Sequence, residues 1–131
     1  IVEYASSCWN PTLLKDIRLV ESVQRRFTKR IPGLEDLSYV QRLEKLKMEP
    51  LQLRRLKADL CQVYKIIRGY DRVSFGDFFT SATGVTRGHA FKLCVPKYSS
   101  LLLRSSFSHR VINAWNSLSP ETVSAVKFSL L

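Results

Sequence analysis

The stretch of sequence that decides the fold is TLLKDIRLVESVQRRFTKRIPG, residues 12–33. Its apolar residues recur three, four or seven positions apart, which places them on one face of an α-helix. The dipeptide Asn10-Pro11 is a turn signal before the stretch, and Pro32-Gly33 stops the helix after it. The pattern predicts an amphipathic helix whose buried stripe contains Leu13, Ile17, Val20, Phe27 and Ile31.

The opposite face of this helix is basic. At about 100° per residue, Arg18, Arg25 and Lys29 fall in a narrow stripe opposite the apolar positions. Lys15 and Arg26 widen that stripe, and we call these five cations the basic ridge. The ridge suits a polyanionic ligand, although a charged helix face is often only solvated.

Two further helices are predicted before residue 70. Ser38 followed by Gln41 is a capping-box pattern, and it starts a short helix that runs through Leu46. Pro50 suits the first position of the next helix, and Gly69 ends that helix. The apolar stripe of this third helix contains Leu53, Leu56, Leu60, Val63, Tyr64 and Ile67.

After Gly69 the sequence pattern changes, and we place a soft subdomain boundary there. Residues 70–84 are rich in turn formers, and their aromatic residues are predicted to plug the core as a short turn or helix. These aromatic residues are Phe75, Phe78 and Phe79.

Strand signals follow in the second half of the chain. Residues 90–96 and 101–107 alternate apolar and polar side chains, which predicts a β-hairpin. Ser108 is predicted to cap a helix that carries Trp115, and Ser119-Pro120 to open another. The chain is therefore predicted to be mostly α, with a helical bundle followed by a small β-hairpin and C-terminal helices.

The composition favours polyanionic partners, such as nucleic acid or an anionic membrane, and we expect nucleic acid and no membrane. The 131 residues carry 21 Lys and Arg against 11 Asp and Glu, a formal charge of +10. No Asp or Glu occurs between Phe78 and Pro120, so that stretch can approach phosphates without repelling them. No apolar run approaches the roughly 20 residues that span a bilayer. The chain opens at Ile1 without an initiator Met, and we take it as a fragment truncated at both ends.

The cysteines and histidines give no strong metal signal. Cys8, Cys61 and Cys94 are odd in number and far apart, which argues for a reducing, intracellular compartment. Zinc could be imagined with His89, Cys94 and His109, but no C-x2-C pair exists. We also find no P-loop, nucleophile elbow or clustered carboxylates, so neither a catalytic residue nor a bound cofactor is predicted.

Short blocks in order along the chain resemble the region just after the catalytic palm of jockey-like LINE (non-LTR) retrotransposon reverse transcriptases. Each block alone is weak, but their shared order makes the resemblance specific. The blocks are YASSCWNP (residues 4–11), ESVQRRFTKRI (21–31), RRLKADL (54–60) with YKIIRG (64–69), TRGH (86–89) and RVINAWNSL (110–118).

This resemblance implies a thumb-like helical region over residues 1–69 and a C-terminal region over residues 70–131. The family's whole protein is an RNA-directed DNA polymerase that needs Mg²⁺, but its catalytic motif lies upstream of this segment. The resemblance thus implies a non-catalytic portion that grips RNA template, DNA primer or their hybrid, beside the rest of the polypeptide. The family often has Leu-Pro where this chain has Leu118-Ser119-Pro120, which affects only a local turn.

A second hypothesis is a stray or domesticated retroelement remnant that acts as a protein-interaction module. Trp9 and Trp115 could stack on bases, but Trp115 falls on an apolar helix face and both are predicted to anchor the core. The candidate nucleic-acid-binding residues are Lys15, Arg18, Arg25, Arg26, Lys29, Arg54, Lys65, Arg68, Arg87, Lys92, Arg104 and Arg110.

Overall fold

The computed structural model describes residues 3–84, 87–97, 100, 103 and 105–125. These residues are mostly α-helical, as the sequence predicts. The helices are α1 (Leu14–Lys29), α2 (Tyr39–Leu46), α3 (Leu51–Ile67), α4 (Phe75–Phe78), α5 (Phe107–Arg110), α6 (Ile112–Asn116) and α7 (Pro120–Ser124). In the part of the chain described, no helix is both long and apolar enough to cross a bilayer.

The first helix, α1, packs against α2 and α3 through a face that contains polar residues. Gln24 and Thr28 are its buried side chains. The Gln24 amide donates to the Tyr39 hydroxyl at 3.0 Å and to the Glu49 carbonyl at 3.1 Å. Because buried polar groups are costly without partners, these hydrogen bonds fix the rotation of α1 about its own axis.

The predicted apolar stripe of α1 is consequently only partly buried. Ile17, Val20 and Ile31 are half-buried, but Leu13 is 56% exposed and Phe27 is 65% exposed. The helix is turned towards its polar flank because hydrogen-bonding groups on α2, and in the segment before α3, meet that flank. The helical period was predicted correctly, but two positions of the stripe were wrong.

The start of α2 confirms the predicted capping box. The Ser38 hydroxyl accepts from the Gln41 backbone N–H at 3.3 Å, and the Gln41 side chain accepts from the Ser38 N–H at 2.9 Å. The helix ends where Lys47 adopts a left-handed conformation with φ of 51°. Both signals act within a few residues of the chain, which is why they could be predicted without knowing the tertiary structure.

The long helix α3 buries a different face in each half. Leu51, Arg55 and Asp59 are buried at successive turns of its first half. The predicted stripe positions Leu53 and Leu56 are 40% and 37% exposed, so the stripe is wrong there. The reason is that aromatic and cationic side chains from distant parts of the chain cover Arg55 and Asp59 and stabilise their burial.

The main apolar core lies between the second half of α3 and the elements that follow it. Trp115 is fully buried, and its indole N–H donates to the Phe91 carbonyl at 2.8 Å. This confirms one of the two predicted tryptophan anchors, whereas Trp9 lies partly exposed against Arg55. The core residues, which come from both sides of Gly69, are Leu60, Val63, Tyr64, Ile66, Phe79, Leu93, Val111, Ile112, Trp115 and Val123.

The predicted β-hairpin is wrong. The described residues contain no strand, only one antiparallel bridge between Ser81 and Leu93. Backbone hydrogen bonds of 2.9 and 2.8 Å on either side of Leu93 join this segment to residues 80–82. In the second predicted arm, Leu103, Ser105 and Phe107 are helical, and residues 101, 102 and 104 lie outside the described residues.

A side chain takes the place of the missing strand partner. The Asn116 carbonyl oxygen accepts from the Leu93 N–H at 2.9 Å, and its amide donates to the Leu93 carbonyl at 2.8 Å. Both backbone groups of Leu93 are therefore satisfied from α6, while residues 80–82 bond the opposite edge. No backbone group remains at Leu93 for a neighbouring strand to pair with, which explains why alternation alone predicted the wrong structure.

The first of the C-terminal helices begins two residues earlier than predicted. Ser106, and not Ser108, precedes the first residue of α5. The predicted start of α7 is confirmed, because the Ser119 hydroxyl accepts from the Thr122 N–H at 3.3 Å and Pro120 occupies the first turn. The predicted aromatic plug is confirmed in part, since Phe79 is buried whereas Phe78 is partly exposed.

Candidate nucleic-acid interface

The basic ridge lies on the solvent side of α1. All five of its cations are exposed, whereas the buried side chains of α1 are Gln24 and Thr28, and Arg25, next to Gln24, borders the buried face. From Arg18 to Lys29 the ridge extends about 16 Å along the helix axis at about 1.5 Å per residue. Arg25 reaches the ring of Tyr39 in α2, and the other four cations lie on the surface of α1 that is open to solvent.

No carboxylate in the described part of the chain forms an ion pair with the ridge. The three ion pairs found among the described residues all lie elsewhere. Of the two acids in α1, Glu21 is turned inward, where it accepts from the Tyr39 hydroxyl and from the Leu51 N–H at 2.9 Å. Asp16 lies in the first turn of α1, where its charge favours the helix dipole. The ridge consequently presents positive charge to solvent.

Tyr39 connects the ridge to the interior. Its hydroxyl donates to Glu21 on the buried side, and the Arg25 guanidinium lies 4.7 Å over its ring on the other. Burial, with the hydrogen bond to Glu21, raises the pKa of Tyr39 to about 12. The phenol therefore stays neutral around neutral pH and offers its ring face to Arg25.

The raised pKa of Tyr39 leads to a prediction about alkaline stability. Since the folded state favours the neutral phenol, this contribution is complete below the unfolded pKa of about 10. It is lost as the pH rises through about 12, the folded pKa. We expect the difference in unfolding free energy between the parent chain and Tyr39→Phe to shrink between pH 9 and pH 11 in urea titrations. A difference that stays constant over this range would contradict the assignment.

A buried cation lies beneath the ridge. Arg42 is almost fully buried, and its guanidinium donates to the Leu37 carbonyl at 2.5 Å and to the Thr28 hydroxyl at 3.2 Å. It also lies 5.7 Å from the centre of the Tyr39 ring. None of the ion pairs within the described residues involves Arg42. Its charge therefore adds to the positive potential of α1.

Two of the three cations predicted to bind nucleic acid on α3 are held in contacts within the chain. Arg54 forms an ion pair with Glu3 at 2.8 Å. Arg68 donates to the Val123 carbonyl at 3.1 Å and lies over the Phe91 ring at 5.1 Å. Lys65 is exposed. The structure therefore uses Arg54 and Arg68 in internal contacts.

The cations between Phe78 and Pro120, the stretch that contains no Asp or Glu, are placed in different ways. The Lys92 ammonium donates to the Arg87 backbone carbonyl, and the Arg87 side chain is exposed. Arg104 lies outside the described residues. Arg110 pairs with the buried Asp59 at 3.0 Å and is bonded to backbone carbonyls as well. The stretch does not gather its described cations into one surface.

Sequence reasoning missed a sixth cation and an apolar surface on α1. Arg30 is exposed at the end of the helix, about 40° from Arg26 on a helical wheel at about 100° per residue. Next to it runs an exposed apolar row of Leu19, Val23 and Phe27. The four-residue spacing of that row was visible in the sequence, but only the packing shows that it faces solvent.

The imagined zinc ligands do not converge. In the described ranges, no group of three His, Cys, Asp or Glu side chains is placed to hold a metal ion. His89 is buried, with its Nε2 atom 3.0 Å from the Trp115 carbonyl, and Cys94 is exposed. His89 is thereby accounted for as part of the core around Trp115.

Comparisons with protein-family models, with curated proteins and with solved structures give no match to this chain. The resemblance to reverse transcriptases therefore rests on the sequence blocks alone.

Proposed function

We propose that this chain is a non-catalytic nucleic-acid-binding module, the thumb and following C-terminal region of a LINE-type reverse transcriptase. In this proposal its helical bundle grips the template–primer, while the parent polypeptide supplies the catalytic carboxylates and their Mg²⁺. The observation that carries the proposal is the basic ridge, an exposed row of cations without carboxylate partners in the described structure. The sequence blocks support the assignment to a thumb.

The form of the ridge suits contacts with the phosphate backbone. The part of the ridge from Arg18 to Lys29 is about 16 Å long at 1.5 Å per residue. This length corresponds to about five nucleotide steps at roughly 3.4 Å per step. Lys and Arg on such a row can reach phosphates without reading bases. A polymerase must move along any sequence, so we expect little sequence preference and a steep dependence on salt.

The test replaces the central ridge cations. Arg18→Gln, Arg25→Gln and Lys29→Gln together should make binding of an RNA–DNA duplex weaker and less sensitive to salt. Each lost phosphate contact flattens the slope of log affinity against log salt by roughly 0.9, so three contacts should flatten it by about 3. Fluorescence anisotropy at several salt concentrations measures this slope, and circular dichroism checks that the variant folds.

A matched control distinguishes the effect of where the ridge cations lie from the effect of the net charge that they contribute. Lys45, Arg72 and Lys97 are exposed cations outside the ridge, and replacing them by Gln removes the same charge. We expect this control to keep most of the salt slope. The proposal is wrong if the ridge variant and the control lose affinity equally, or if the ridge variant binds like the parent chain.

The exposed apolar row favours a second candidate function, a protein-interaction module of retroelement origin. Leu19, Val23 and Phe27 form a continuous apolar strip beside Arg26 and Arg30. Such a strip flanked by cations complements an amphipathic helix whose apolar face is bordered by carboxylates. Nucleic-acid affinity that is unchanged in the ridge variant would make this the better function.

A further inference from the structure

The exposed apolar row on α1 projects into solvent. Leu19, Val23 and Phe27 are each at least 51% exposed. With four residues between its members, the row extends about 12 Å along the helix at about 1.5 Å per residue. Because the surface of a helix is convex, these side chains stand out from it. A contiguous apolar surface of this kind marks a site of contact with a protein or a membrane.

Cations border the row along one side. On a helical wheel at about 100° per residue, Arg30 lies about 20° from Val23, Arg26 about 60° and Lys15 about 80°, all in the same direction. All three cations are exposed. An apolar row with a basic flank is the pattern of helices that lie on membrane surfaces.

Of the two acids in α1, only Asp16 lies near the row. It is partly exposed and lies about 20° from Val23 on the wheel, two turns before it. Glu21 lies about 160° from Val23, and its carboxylate is bonded to Tyr39 and Leu51. Three exposed cations therefore accompany the row against one carboxylate, which calls for an anionic partner.

The side of α1 that carries Leu19 points away from the helices packed against α1. On the wheel, the buried positions Gln24 and Thr28 lie about 140° and 180° from Leu19. This side is therefore accessible to a broad, flat partner. A partner helix would reach only the cations beside the row, Arg26 and Arg30. Anionic lipid headgroups would reach Lys15 as well, so the positions of the cations favour a bilayer.

We propose that α1 binds the surface of an anionic lipid bilayer and lies parallel to it. The apolar row enters the boundary between headgroups and acyl chains, where such helices insert by about 5–10 Å. Lys15, Arg26 and Arg30 meet the anionic headgroups. We expected no membrane partner because no apolar run in the sequence is long enough to span a bilayer, but a helix on the surface needs no such run. This activity goes beyond the proposed function.

Vesicle binding by the full chain is the first test. Vesicles of phosphatidylcholine alone are compared with vesicles of phosphatidylcholine and phosphatidylserine in equal parts, and bound protein is measured by co-sedimentation. We expect binding to the anionic vesicles, little binding to the neutral ones, and weaker binding as salt increases. Absence of binding to the anionic vesicles would overturn the proposal.

A polar variant of the row tests the apolar contribution at constant charge. Leu19→Gln together with Phe27→Gln should weaken binding to anionic vesicles at least tenfold, and both positions are exposed enough for the fold to persist. The control is Leu14→Gln with Val40→Gln, two residues of similar exposure outside the row. Leu14 lies about 180° from Val23 on the wheel. Equal affinities of the two variants would contradict insertion of the row.

Replacing Asp16 tests the orientation of α1 by a gain of affinity. Asp16→Asn removes the carboxylate beside the row, and one unit charge near an anionic surface changes binding by about fivefold. We therefore expect binding to phosphatidylserine vesicles to become about fivefold tighter. An unchanged affinity would show that Asp16 does not face the lipid, which rules out this orientation.

Fluorescence quenching tests insertion directly. Phe27→Trp places an indole in the row, whereas Trp115 is buried in the core and Trp9 is stacked on Arg55. Lipids with brominated acyl chains should quench the emission of the Phe27→Trp variant more strongly than that of the parent chain. Equal quenching, with vesicle binding retained, would indicate electrostatic attraction alone and would overturn insertion.

The outcomes are separable from those of the basic ridge. The variant with Leu19 and Phe27 replaced by Gln keeps every charge, so it should bind the RNA–DNA duplex like the parent chain. Failure of the duplex experiment therefore leaves the membrane result unaffected, and the reverse also holds. Binding of an acidic amphipathic peptide by a chain that ignores anionic vesicles would reject the membrane surface in favour of a protein partner.

Discussion

Replacing Asp59 by Asn should lower the free energy of unfolding by about 3–5 kcal/mol, the usual cost of removing one partner of a buried ion pair. Asp59 is 1% exposed, and its two carboxylate oxygens accept from Arg110 Nε at 3.0 Å and Nη2 at 3.1 Å. The neutral side chain would leave the Arg110 charge without compensation in a setting from which water is largely excluded. Urea denaturation followed by circular dichroism measures the loss.

The effect should be large because Arg110 joins three parts of the chain. Its guanidinium donates to the Ser6 carbonyl at 3.0 Å, the Ser7 carbonyl at 3.1 Å and the Ser105 carbonyl at 3.2 Å, besides Asp59. The N-terminal segment, α3 and the C-terminal helices are thus held by one side chain. This internal role is the reason why we leave Arg110 out of the proposed nucleic-acid interface.

A matched variant isolates the contribution of burial. Glu49→Gln breaks the ion pair with Lys57, whose members are both partly exposed to solvent. Surface ion pairs contribute about 0–1 kcal/mol, so this change should be nearly silent. Equal losses for Asp59→Asn and Glu49→Gln would show that the Arg110 contacts do not carry the stability assigned to them.

Replacing Trp115 by Ala should cost about 3–5 kcal/mol of unfolding free energy, the range for deleting a large aromatic side chain from a core. Trp115 is fully buried and contributes both apolar area and the hydrogen bond to the Phe91 carbonyl. Its ring also meets the His89 ring edge to face, with centres 5.7 Å apart. Differential scanning calorimetry and urea titration should agree on the loss.

The control for this change is an aromatic residue on the surface. Phe27→Ala removes a side chain that is mostly exposed, and such substitutions usually change stability by less than about 0.5 kcal/mol. Intrinsic fluorescence adds a second readout, because unfolding of the parent chain should shift the emission of the buried Trp115 to longer wavelength. If Trp115→Ala were as stable as Phe27→Ala, the core described here would be incorrect.

The sequence predicted the parts of this fold that depend on local interactions. The helical period of residues 12–33, the capping box at Ser38 and the start of α7 at Ser119-Pro120 were all correct. Each signal depends on residues within one or two turns of each other, so its physical cause is contained in the segment. The exposure of the basic ridge follows from the same helical period, although its ligand stays a proposal.

The tertiary structure decided which faces are buried. Sequence reasoning predicted burial of Leu13 and Phe27, but Gln24 and Thr28 occupy the interface because partners on other elements satisfy their hydrogen bonds. The same cause explains the wrong hairpin, since the backbone of Leu93 is bonded by a side chain 23 positions away. No local pattern records such a partner.

The charged residues show the same contrast between what the sequence predicts and what the tertiary structure decides. Composition alone established a strongly basic chain and the spacing of its cations on α1. Only the fold separates the exposed Arg18 from Arg110, which is bonded internally, and from Arg55, which is buried without an acceptor. The physical reason is that the role of a guanidinium depends on the carboxylates, carbonyls and rings around it, and folding brings those groups together from distant positions in the chain.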